Sequence, residues 1–146
     1  MALNPVTQGT LNRLRAAVIV PSFPSLNVTS PYMGKSFVHV TPKGRFNNLI
    51  PTATGAVTSP EPYVEADITF MLLRTQSLGA SWRSQWELQS TIGQVNVIPD
   101  SIAWASVTLD TCVIGEVDFG AYDGTDPMIK VTMSGIYYIN SALWSV

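Results

Sequence analysis

The sequence predicts a mainly β protein: a β-barrel or sandwich with one flanking α-helix and a long inter-strand loop. Three observations carry this. The runs 63–74, 102–117 and 128–140 alternate apolar and polar side chains, the period of a half-buried strand. Only one stretch, 75–93, repeats apolar residues every four positions. Between two of the strands lies "TPKGRFNNLIPTATGAVTSPEP" (41–62), 22 residues with four prolines and two glycines. With 146 residues, 46% hydrophobic and 10% aromatic, the chain has the material for one core and one domain.

The elements follow in order. Residues 1–10 read as a flexible arm. "LNRLRAAVIV" (11–20) reads as a strand because Val18, Ile19 and Val20 are β-branched and Pro21 stops it. Arg13 and Arg15 would share one face, with Leu14, Val18 and Val20 on the other. "SFVHVTP" (36–42) is a short strand entering the long segment. That segment is too proline-rich to be one regular element and too apolar to be a solvated linker, since it carries Phe46, Leu49, Ile50 and Val57.

In "YVEADITFMLLR" (63–74), Val64, Ala66, Ile68, Phe70 and Leu72 point one way and Glu65, Asp67 and Thr69 the other. Leu78, Trp82, Trp86, Leu88 and Ile92 then place a helix within 75–93, with Thr75 as N-cap and Gly93 as its stop. "QVNVIP" (94–99) is a short strand. The 102–117 strand puts Ser106, Thr108 and Asp110 on one face and Val107, Leu109, Thr111 and Val113 on the other. "AYDGTDP" is a turn, and the 128–140 strand shows Lys130, Thr132 and Ser134 opposite Ile129, Val131 and Met133.

Charge is scarce, at 12% against about 25% in an ordinary soluble domain. A surface so poor in charge is expected to be covered by other copies of the chain. Net charge is -2, but the signs are segregated: residues 1–45 hold five cations and no acid, and all ten acids lie from Glu61 onward. Such asymmetry suits contact between a basic surface of one copy and an acidic surface of the next. It argues against a phosphate-gripping nucleic-acid binder. The single cysteine, Cys112, excludes an intrachain disulfide and a cysteine-cluster zinc site. The sequence shows no signal peptide and no membrane-length apolar run, so a cytosolic product without a membrane anchor is expected.

No catalytic constellation can be assembled, and an enzyme is not expected. His39, the only histidine, sits mid-strand in "FVHVT". Cys112 has no basic neighbour in sequence to activate it. "DGTDP" lacks the spaced ligands of a calcium loop. No cofactor and no metal are expected. Trp82 and Trp86 at helical spacing are core or interface anchors before they are a ligand platform. The polar faces Glu65/Asp67/Thr69, Ser106/Thr108/Asp110 and Lys130/Thr132/Ser134 belong to an ordinary solvated sheet, or to a mildly acidic channel wall past which DNA would slide.

The run "PTATGAVTSPEPYVEADITFMLLRTQSL", the segment "IGQVNVIPDS" and the C-terminal "GIYYINSALW" resemble tail tube proteins of contractile-tailed bacteriophages, over about residues 36–146. The resemblance implies a β-barrel or sandwich subunit that forms stacked hexameric rings, with the tube fold shared by type VI secretion tube subunits. It implies a sheath around the tube, baseplate and tail terminator proteins at its ends, and passage of DNA through the lumen. The protein would be made in the host cytoplasm and reside in the virion tail. Residues 41–62 become an assembly loop to the neighbouring ring, with Lys43, Arg45, Phe46, Leu49, Ile50 and Val57 as its contacts. The three polar strand faces become lumen candidates, and Arg83 and Glu87 on the helix face the sheath. Alternatives of related kind are a bacteriocin or secretion-system tube subunit and a single-ring tail-completion or baseplate protein. A carbohydrate- or peptide-binding β-module using the tryptophans is the alternative of a different class.

Overall fold

The structure, a computed structural model, describes residues 5–6, 9, 15–100 and 104–144. The start of the first expected strand, with Arg13 and Leu14, lies outside the described residues, as does most of the expected arm. Six antiparallel strands form one sheet: β1 (Ala16–Ile19), β2 (Met33–Pro42), β5 (Tyr63–Leu73), β6 (Thr91–Pro99), β7 (Val107–Asp118) and β8 (Met128–Tyr138). Their order is β1-β6-β7-β8-β5-β2. The sheet curls into a half-barrel in which β1 and β2 approach each other without pairing. The helix α1 (Ser77–Leu88) connects β5 to β6. Among the described residues, β3 (Asn47–Pro51) and β4 (Ala56–Pro60) pair only with each other.

The alternation in β5 decides the core. Val64, Ala66, Ile68, Phe70 and Leu72 are all buried, and β8 adds Val131 and Met133 from the same face. From the helix, Leu78 and Trp82 pack down on them; Phe70 and Trp82 meet edge to face at 5.2 Å between ring centroids. Val18, Val20, Leu26 and Val28 fill the core from β1 and the turn after it, where Val18 and Val28 exchange backbone hydrogen bonds of 2.9 and 2.8 Å.

Two expected boundaries are corrected. The helix ends at Leu88, with Gln76 rather than Thr75 at its N-cap. Leu88 is 86% exposed, and Ile92 reaches the core from β6. A four-residue step from Leu88 to Ile92 fits a helix, but β-branched Thr91 and the pairing of Ile114 N–H with the Ser90 carbonyl favour a strand. Gly93 therefore sits inside β6, at a left-handed φ of 77° and between two register shifts, instead of stopping a helix.

The second correction is in β7. Thr111 adopts φ 52°, and the β7–β8 register slips between Asp110 and Val113. One extra residue inverts the alternation, so Cys112 and Ile114 are buried while Thr111 and Val113 face outward, opposite to the expected core face. Across the bulge lies Gly135. A Cβ there would come within 2.5 Å of the Cys112 sulfur and 3.1 Å of the Leu109 Cβ. Gly135→Ala is expected to cost about 1–3 kcal/mol, read as a lower denaturant midpoint. Gly55→Ala, built into open space, is the control and should be close to neutral.

Candidate functional site

The segment 41–62, expected as irregular, is largely a β-hairpin. Asn47 pairs with Pro60 and Pro51 with Ala56, so the internal prolines fall at strand ends where a missing N–H costs least. The turn between them is closed by Thr52 N–H to the Gly55 carbonyl (2.8 Å) and Gly55 N–H to Thr52 Oγ1 (3.1 Å). The hairpin carries no charge from Phe46 to Pro60. Register places Ile50 beside Val57 on one face and Leu49 beside Thr58 on the other. Phe46, Leu49, Ile50 and Val57 are 45%, 66%, 49% and 54% exposed. A two-stranded hairpin with both faces open is marginal in water. It offers an apolar ribbon that the described residues leave about half open.

At the root of the hairpin the β2–β5 ladder ends with Lys43 N–H on the Glu65 carbonyl (2.7 Å). The Lys43 ammonium turns back to Asp67, 2.6 Å away, and Ser134 Oγ donates to the other carboxylate oxygen at 2.8 Å. Lys43 is thus engaged by an acid of its own chain, whereas the sequence suggested an acidic surface of the next copy. Arg45 is exposed beside it. Partial burial pushes the Asp67 carboxyl up, but the hydrogen bonds from Lys43 and Ser134 and the lysine charge together hold it below its ordinary value of 3.8. The hydrogen bond to Asp67, then that carboxylate's charge, holds Lys43 above 10.5.

A carboxyl depressed in the folded state stabilises the protein above its unfolded pKa and loses that contribution as pH falls through the folded value. Wild type and Asp67→Asn should therefore differ most in Tm above pH 3.8 and converge below it. A gap that stays constant down to about pH 2 would mean the ion pair contributes nothing.

The face of the sheet opposite the core is polar. Directly opposed pairs fix its rows: Thr41–Asp67–Ser134, His39–Thr69–Thr132–Glu116, Glu65–Ile136–Asp110 and Lys130–Asp118. Asn96 joins it, accepting a 2.7 Å bond from Thr108 Oγ1. Eight of the nine expected residues of this face lie on its strands. The exception, Ser106, precedes β7 and is exposed outside any strand. Sequence reading missed His39, Thr41, Asn96, Glu116 and Asp118. The first three needed cross-strand register; the last two needed the second β7 register shift, between Ile114 and Glu116. Among its described side chains the face holds Glu65, Asp67, Asp110, Glu116 and Asp118 against Lys43 and Lys130, which makes these net acidic.

One depression on it, of about 180 Å³, is lined by Glu116, Val117, Asp118, Lys130 and Thr132. Clefts for small ligands run about 300–1,000 Å³ and are mostly apolar. Among the described residues no group of His, Cys, Asp and Glu is arranged to hold a metal ion. Cys112 is buried, and burial pushes its thiol up to about 12.

On the helix, Arg83 and Glu87 are exposed and pair one turn apart at 2.9 Å. Arg83 also lies 5.7 Å over the Phe119 ring, which Trp86 meets edge-on at 5.9 Å. Trp82 is wholly buried and closed to any ligand. No helix among the described residues is long and apolar enough to cross a membrane. No protein-family model matches this chain, and no curated protein matches it.

Proposed function

We propose that the chain is a structural virion protein that assembles into stacked hexameric rings and forms the tube of a contractile phage tail. The observation that carries this reading is the uncharged hairpin 46–60, whose Phe46, Leu49, Ile50 and Val57 are 45–66% exposed in the single chain. Covering such a ribbon is what a second copy does. In the proposal the hairpin docks on the adjoining subunit or ring. The acidic sheet face, built mostly of short side chains, lines the channel. Among its described side chains, five carboxylates stand against two lysines and repel phosphates, so DNA slides past without being gripped. The sheath meets the tube on the side of Arg83 and Glu87, and baseplate and terminator proteins close its ends.

The test is electron microscopy of the purified, concentrated protein, with light scattering on the same sample. Rings or hollow tubes are the expected result. Monomers at every concentration, with and without baseplate as a seed, would overturn the reading. Rings that never stack would reassign the chain to a tail-completion role.

A further inference from the structure

We propose that Asn140 is a clasp that fixes the direction of the β3–β4 hairpin by bridging both of its strands at the root. The backbone ladder breaks there. It runs in β2–β5 as far as Lys43 and Glu65, then resumes where Glu61 N–H meets the Phe46 carbonyl at 3.0 Å. The break contains Gly44 on one strand, at φ 82° with open space around it, and Pro62, which has no N–H, on the other. Such a break is a pivot. Nothing in the β3–β4 pairing itself sets the angle between hairpin and sheet.

Asn140 spans this break from a third strand. β8 continues past Tyr138 by donating Ile139 N–H to the Pro62 carbonyl (3.1 Å). The next residue, Asn140, takes a left-handed φ of 54°, which asparagine tolerates better than most side chains. Its carbonyl accepts Leu143 N–H and Trp144 N–H at 2.9 and 3.1 Å, so the C-terminal turn holds it in place. The side-chain amide then donates twice: Nδ2 lies 3.0 Å from the Phe46 carbonyl and 2.7 Å from the Glu61 carbonyl. Both partners are acceptors, so only the NH₂ end of the amide fits there. Phe46 enters β3 and Glu61 leaves β4. One side chain therefore ties both legs of the hairpin to the end of β8.

The clasp explains how a marginal hairpin is presented in one direction before anything covers it. Presetting that direction lowers the ordering cost of docking, whatever the partner.

The test is hydrogen exchange on dilute, unassembled protein, so it does not depend on the tube reading. Asn140→Gly keeps the left-handed backbone and removes the amide. Asn140→Asp keeps the shape but turns an acceptor toward two carbonyl oxygens. Amides of residues 47–60 should exchange faster by about tenfold in both variants, with the amides of β5 and β8 unchanged. Unchanged exchange in the hairpin would overturn the clasp. So would acceleration in Asn140→Asp alone, which would be repulsion and not a lost tie. Acceleration spread equally over β5 and β8 would also overturn it, because Asn140 would then support the whole fold.

Discussion

Replacing Leu49, Ile50 and Val57 together by threonine is expected to leave the monomer folded and to raise the concentration needed for assembly by about 100-fold or more. The two halves of this expectation have different sources. In the single chain the three side chains are 66%, 49% and 54% exposed, so little is lost on truncating them. Exposed substitutions of this kind fall within about 0.5 kcal/mol each. Threonine also keeps the β-propensity of the hairpin. On docking, full burial of such a side chain contributes ~1.5–3 kcal/mol. Allowing for the half already covered leaves about 1 kcal/mol apiece, and three of them make about 100-fold. Sedimentation velocity against concentration reads assembly, and a thermal melt reads the monomer. Unchanged assembly would remove the hairpin from the interface. A large drop in Tm would show that the hairpin packs on its own chain.

The second large effect lies in the core. Trp82→Ala should cost about 3–5 kcal/mol, a large share of the ~5–15 kcal/mol that holds a domain of this size together. Trp82 is fully buried between the helix and β5, with its ring edge-on to Phe70. Removing it opens a cavity under the only α-helix among the described residues. Its indole Nε1 is buried with no hydrogen-bond partner among the described residues. An unpaired buried donor costs ~1–3 kcal/mol, so Trp82→Phe removes a penalty while it removes volume. The phenylalanine variant should therefore be clearly less destabilised than the alanine variant in urea unfolding. Equal losses would mean that the indole N–H is satisfied and the packing account is wrong.

What the sequence revealed and what it hid divide along one physical line. Strands β5 and β8 were legible because an uninterrupted period of two places Val64, Ala66, Ile68, Phe70 and Leu72, and Val131 and Met133, on the buried face. Strand β7 was not, beyond Asp110, because one residue at positive φ inverts the alternation and the sequence marks it only across the sheet, at Gly135. The helix overran in sequence reading because Leu88 and Ile92 keep its four-residue step although the chain has already entered β6. The hairpin was hidden by its prolines, which suggest a break until Pro51 and Pro60 are seen to lie at strand ends. Its turn was written in Thr52 and Gly55. The polar face was legible strand by strand. Its rows were not, and neither was the Lys43–Asp67 pair, since those residues are brought together only by the β2–β5 register.

The central claim is that the acidic sheet face is enclosed when copies assemble. Cysteine labelling tests it directly, because the native Cys112 is buried and unreactive and a single introduced thiol reports alone. Thr132→Cys places that thiol in the middle of the face, between Thr69 and Glu116. In dilute monomer it should react with both a small maleimide and a maleimide carried on a large polymer. In assembled protein the small reagent should still label it, through the open channel, while the polymer should not. Labelling of assembled protein by the polymer at the monomer's rate would place this face on the outside and contradict the account.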